Sequence, residues 1–176
     1  LTITRDKLAH KLFNSIGIEN SLLPCTAFFV DKSFSNPNEG EYILVNYMEG
    51  GGHFDWGQSI DKLKWEKNFL DSLQTLACEH EVRFICHNQK EVELATKIAP
   101  GYRVHYPKTV EEYLACIRRA KLGICNRMHA SVALASVGVP SISICTDTRL
   151  LMLENIGMPI YFVNNIDSSE LLKVSQ

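Results

Sequence analysis

The chain has 176 residues, 45% of them hydrophobic, which matches one ordinary domain with enough apolar material for a contiguous core. Eighteen basic residues stand against 20 acidic ones and the isoelectric point is near 6.3, so no broad cationic field exists to hold nucleic acid or anionic lipid. No apolar run reaches the ~18 residues of a membrane span and the first residues lack a secretory signal layout, so the reading is a cytoplasmic protein without a transmembrane segment. The six cysteines are widely spaced, several inside apolar runs, which predicts buried thiols rather than a metal site or a disulfide scaffold. Because the chain opens at Leu1 in a strand-like run, it reads as part of a longer protein.

In chain order, residues 1–17 (LTITRDKLAHKLFNSIG) predict a strand followed by a helix, and residues 21–30 (SLLPCTAFFV) a second extended segment. A polar connector with Pro37 and Gly40 follows. Residues 1–41 are therefore expected to belong to the edge of, or the crossover from, another domain. From residue 42 short apolar runs alternate with helix-length stretches, the signature of a parallel sheet with crossover helices. The predicted strands are 42–48, 82–88, 103–107, 122–126, 140–146 and 160–164; they are nearly all apolar, as strands buried on both faces require. Helices are predicted over 61–80 and 109–120, the latter capped by Thr109 with Glu111 and Glu112 in its first turn. Gly101, Gly138 and Gly157 fall where helices should stop. Residues 42–176 thus read as an α/β domain, Rossmann-like and doubly wound, with a mainly parallel sheet.

Ligands of such sheets collect at the carboxyl ends of the strands. Four segments lie there: Met48 to Gln58 with the triglycine Gly50-Gly51-Gly52 and His53, then His87-Asn88-Gln89, Asn126-Arg127-Met128-His129, and Thr146-Asp147-Thr148-Arg149. A helix beginning at Arg127 or Met128 would offer free backbone N–H groups, a guanidinium and an imidazole at one end, all favouring an anion. Basic groups there oppose the helix dipole, so they call for a negative partner. That partner is either a bound anion or a carboxylate of the chain. Asp147 and Arg149 are read either as ligand contacts or as a surface ion pair. The triglycine, with Asp55 and Trp56 beyond it, is read either as a backbone approach to phosphate or acceptor, or as a surface loop; no nucleotide-loop spacing is present. His87 is a weaker candidate by position, and His10, His80 and His105 are taken as solvated or structural.

The stretch from Ala120 to Pro159 resembles the C-terminal signature of the polysaccharide pyruvyl transferase family: a strand, then Arg127-Met128-His129 opening a small-residue helix, then Gly138-Val139-Pro140, a strand, and Asp147-Thr148-Arg149. Thr4-Arg5-Asp6-Lys7-Leu8 is similar to that family's Arg-Asp motif. Three departures stand out. No Asp precedes Pro24-Cys25-Thr26-Ala27-Phe28, Arg149 stands where the family has Lys, and Met128 where it has Leu.

The resemblance implies a fold like the C-terminal domain of the GT-B architecture and a transferase moving pyruvate from phosphoenolpyruvate onto a sugar of a cell-surface polysaccharide, forming a ketal. It implies phosphoenolpyruvate as donor substrate, a glycan or lipid-linked saccharide as acceptor, and no cofactor or metal. His129 and Arg127 would be catalytic. Arg5, Arg127, His129, Asp147, Arg149, Gly51, Gly52 and His53 would bind substrate. Two other readings stay open: a GT-B glycosyltransferase with a nucleotide-sugar donor, and a non-catalytic glycan-assembly module.

Overall fold

The computed structural model describes residues 1–30, 39–50 and 59–175. A small unit opens the chain: strand β1 (Ile3–Thr4), helix α1 (Lys7–Ser15) and strand β2 (Ser21–Leu22), with β1 and β2 paired in parallel. Asp6 caps α1 by accepting from the Ala9 N–H at 2.8 Å. The predicted extended segment 21–30 is cut short after Leu22. Pro24 cannot donate to a ladder, and Thr26–Phe29 instead winds into a 3-10 turn. That turn brings Cys25, Ala27 and Phe28 against Met128, Val132 and Leu150 of the following domain. The segment is thereby packed onto the helix that begins at Met128.

The second unit is a sheet flanked by helices, in the order β3 (Tyr42–Asn46), α2 (Lys62–Ala77), β4 (Val82–Ile85), α3 (Gln89–Ile98), β5 (Arg103–His105), α4 (Val110–Arg118), β6 (Ala120–Cys125), α5 (Met128–Ser136), β7 (Ser141–Cys145), α6 (Leu151–Glu154), β8 (Ile160–Phe162) and α7 (Ser168–Ser175). All its strands pair in parallel, in the spatial order β5-β4-β3-β6-β7-β8. Numbered within this sheet, that is 3-2-1-4-5-6, the doubly wound Rossmann order. All six strands end one to three residues earlier than their apolar runs suggest. Ala120, expected at the end of a helix, instead starts β6.

Alternation along the strands divides the core. Ile43, Val45 and Phe84 face Trp65, Phe69 and Leu73 of α2, whereas Tyr42, Leu44 and Cys125 face Ile117 of α4 and Ala130 and Leu134 of α5. Both faces are covered, which explains the nearly unbroken apolar runs. Helix α5 lies very close to β6: a Cβ added at Gly123 would stand 2.2 Å from Leu134 Cδ1. The order of strand addition switches sides between β3 and β6, and the crevice opened at their carboxyl ends is where the functional side chains gather.

Candidate active site

Two buried asparagines hold that crevice together. Asn46 ends β3 and Asn126 follows β6, at 1% and 2% exposure. Asn46 Oδ1 accepts the Arg127 N–H at 3.0 Å, while its Nδ2 donates to Ile85 O at 3.1 Å and to Glu91 Oε2 at 3.2 Å. Asn126 Oδ1 accepts from Met48 N at 3.0 Å and its Nδ2 donates to Ile144 O at 2.8 Å. Four neighbouring strand ends, β4, β3, β6 and β7, are therefore tied by two amides. Satisfied networks of this kind rigidify a site, because breaking any one bond strands a buried polar atom.

Arg127 occupies the cap position before α5, with φ −87° and ψ 127°, and no side chain caps the helix start. Its guanidinium donates from Nε to Glu91 Oε1, and Nη2 forms an ion pair with the same carboxylate oxygen. Glu91 sits in the first turn of α3, 6% exposed. It also accepts from the His87 N–H at 2.9 Å, His87 Nδ1 at 3.2 Å and Asn88 Nδ2 at 3.0 Å. Burial pushes its carboxyl upward, but the bonds from His87 and Arg127 prevail and hold it at about 2. A carboxylate can only accept, so His87 Nδ1 carries a proton, and in the neutral ring Nε2 is left to accept from Tyr113 OH at 3.0 Å. Burial pushes the Tyr113 phenol up, which keeps it protonated for that bond.

His129 stands two residues into α5 and keeps access to solvent. Partial burial of its ring lowers its proton affinity, and Arg5, His87, Arg127 and Arg149 lower it further by their charge. The last fact answers what sequence separation left open: Arg5, more than a hundred positions away, acts on the same imidazole as Arg127 and Arg149. His87, Tyr113 and His129 also line one apolar groove of about 200 Å³, with Ala27, Leu114 and Ala133 among its walls. Arg149 forks onto Asp147, with Nε 2.9 Å from Oδ1 and Nη2 2.5 Å from Oδ2. Asp147 is wholly buried. Arg5 is exposed, with Nη1 3.9 Å from Cys25 Sγ, and lines a hollow of about 400 Å³ with Asp6 and Thr26.

Of the residues picked from sequence, Arg5, Arg127, His129 and Arg149 converge, with Asp147 beneath Arg149. Gly51, Gly52 and His53, and with them Asp55 and Trp56, lie outside the described residues. The carboxylate partners that the sequence left as an open alternative are present for both Arg127 and Arg149. Each arginine engages a buried acid through Nε and Nη2 while its own side chain stays partly exposed, at 29% and 41%. His87, a weaker candidate by position, is central. Glu91, Asn46, Asn126 and Tyr113 are additions. The signal that could have found Glu91 is Asn88 three residues earlier, a helix-start pair placed just after a strand. Among the described residues no group of three or more His, Cys, Asp or Glu side chains is placed to hold a metal ion, and no helix is long and apolar enough to cross a membrane.

The closest chemical description of this arrangement is an anion site: a helix amino end, two partly exposed guanidinium groups paired with buried carboxylates, and an imidazole of lowered proton affinity. Among solved structures, the chain is similar to a putatively assigned UDP-N-acetylglucosamine 2-epimerase from Listeria monocytogenes, at 16% identity and TM-score 0.62 over 98% of this chain and 48% of that one. It is also similar to the E. coli heptosyltransferase WaaC with ADP, at 15% identity and TM-score 0.56 over 78% of this chain and 44% of that one. These likenesses show the fold, that of one half of a GT-B architecture, and the chain spans less than half the length of either protein. No curated protein matches it in sequence. The sequence profile of the polysaccharide pyruvyl transferases matches residues 1–147, and the chain belongs to that family.

Proposed function

We propose that this chain supplies the donor side of a ketal-forming pyruvyl transferase, binding phosphoenolpyruvate at the amino end of α5 and passing pyruvate to two hydroxyls of a glycan or lipid-linked saccharide. The observation that carries this reading is the uncapped start of α5, where Arg127, held by buried Glu91, shortly precedes the solvent-accessible His129 of the groove. Phosphoenolpyruvate sets a carboxylate and a phosphate on one small enol, so its site needs at least two cations at fixed spacing. The partly exposed guanidinium groups of Arg127 and Arg149 suit that need, with Arg5 as a third cation.

In the reaction, C3 of the enol gains a proton, C2 bonds to a first hydroxyl oxygen, the C2–O bond to phosphate breaks, and a second hydroxyl closes the ketal. The two hydroxyl protons balance the one gained by C3 and the one taken up by departing phosphate. His129, kept neutral by its surroundings, is suited to carry one of them or to hydrogen-bond the phosphate. Asp147 holds Arg149 in register. Gly51, Gly52 and His53 belong in this reading to the acceptor side. No cofactor enters the scheme, and it goes with a cytoplasmic protein.

The test is calorimetric titration of phosphoenolpyruvate into the full-length protein and its Arg127→Ala and His129→Ala variants, each checked for folding. Saturable binding by the wild type is expected, with Arg127→Ala weaker by about tenfold or more, the worth of one charge-assisted contact. Failure of phosphoenolpyruvate to bind while a UDP-sugar binds would replace this reading with a nucleotide-sugar glycosyltransferase. Binding of glycan alone would point to an assembly module.

A further inference from the structure

We propose that Glu91 is the positioning residue of this site, fixing both the Arg127 guanidinium and the ring of His87 from beneath without touching substrate. The inference deepens the donor-site reading and rests on it for the turnover arm of its test.

Three observations converge on Glu91. It is buried, yet its two oxygens take five donors, Arg127 Nε, the His87 backbone N–H, His87 Nδ1, Asn88 Nδ2 and Asn46 Nδ2, with Arg127 Nη2 as an ion-pair contact. These donors come from three places: β3, the β4–α3 turn just before Glu91 and the start of α5. The same Asn46 that donates to Glu91 accepts the Arg127 N–H, so backbone and side chain of Arg127 are held through one pair of residues. Finally, the carboxylate dictates which nitrogen of His87 bears the proton, and so which nitrogen faces Tyr113 and the groove shared with His129.

A carboxylate in this place does two things that an amide cannot. It accepts from every donor without offering one, and it cancels part of the Arg127 charge, so that an incoming anion meets an oriented but tempered cation. Removing the charge while keeping the shape should loosen the guanidinium and scramble the His87 tautomer, because a glutamine would turn an NH2 toward some of the same donors. Ground-state attraction for an anion would then persist or rise, since Arg127 is unpaired. Turnover, which depends on geometry, would fall.

The experiment compares wild type, Glu91→Gln and Glu91→Asp in the full-length protein with two readouts. One is the rate at which phenylglyoxal modifies Arg127, followed by peptide mass spectrometry and requiring no substrate. The other is phosphoenolpyruvate affinity against turnover with a saccharide acceptor. In Glu91→Gln we expect Arg127 to be modified several-fold faster, affinity to stay within about threefold of wild type or tighten, and turnover to fall by about a hundredfold, the cost of a misplaced reacting group. Glu91→Asp, which keeps the charge, should recover part of both. Wild-type reactivity of Arg127 in folded Glu91→Gln would overturn the proposal, as would parallel loss of affinity and turnover in Glu91→Gln and Glu91→Asp alike, which marks a merely structural role. Should the wild type not bind phosphoenolpyruvate, the donor reading falls and the modification rates alone decide the role of Glu91.

Discussion

The two ends of the parallel sheet carry similar charges in opposite arrangement. At the amino end Arg83 is the buried member of its pair, its side chain 6% exposed beneath the Tyr42 ring at 4.0 Å, while its partner Glu81 is 50% exposed. At the carboxyl end the acids are inside. Glu91 and Asp147 are 7% and 0% exposed, and their partners Arg127 and Arg149 reach outward at 29% and 41%. A buried base with an exposed acid presents water with a carboxylate that solvent already serves well. A buried acid with a partly exposed base presents an oriented cation at the sheet end where the strand order switches sides. The difference teaches that ion pairs here are defined by which partner is desolvated, not by their number.

The sharpest way to break this comparison is to delete one buried acid. Glu91→Ala leaves Arg127, His87 and Asn88 without their shared acceptor and is expected to lower stability by about 3–5 kcal/mol, read from the urea midpoint. Acid should do the same by protonation. Because the folded state holds Glu91 below its ordinary 4.5 at about 2, its contribution is present above pH 4.5 and is lost as pH falls toward 2. That loss should amount to about 3 kcal/mol in the wild type and be missing in Glu91→Gln, a difference seen by acid titration of thermal melts.

Gly123→Ala tests whether the close seat of α5 on β6 matters to the geometry above it. The added Cβ meets Leu134, which is itself fully buried, and roughly 1–3 kcal/mol of destabilisation is expected from thermal unfolding. Arg149→Lys keeps the charge but gives up the fork on Asp147, and should weaken phosphoenolpyruvate binding by about fivefold, or roughly 1 kcal/mol, in the same calorimetric assay. The smallest effect belongs to the amino end: Glu81→Gln should leave the unfolding midpoint unchanged. A large effect there would erase the contrast between the two ends.

Much of the fold was legible because it rests on local chemistry. Asp61 and Thr109, where helices were expected to begin, each cap one, bonding the N–H three residues on at 3.0 and 3.2 Å. Gly101, Gly138 and Gly157, read as helix stops, have φ of 97°, 79° and 75°, which other residues adopt reluctantly. Buried thiols were expected in apolar runs, and Cys86, Cys125 and Cys145 are buried, all six cysteines being free. Less legible was helix α3. Its apolar stripe is short and charged residues surround it, so Glu91 looks like any acidic residue complementing a helix dipole. His10, His80 and His105 hold structural places, bonded to Asn20, bonded to Lys121 and stacked on Tyr42.

By itself the sequence determined what one stretch of chain can decide alone: strands buried on both faces, helix starts and stops, and a block running from Arg127 to Arg149 whose cations ask for a negative partner. Tertiary structure decided what that partner is and where the cations point. Arg127 and Glu91 lie 36 positions apart and meet because β3 is flanked by β4 on one side and β6 on the other. Burial then fixes the sense of the pair: a carboxylate withdrawn from water must gather donors from several elements, and the arginine that satisfies it stays partly exposed.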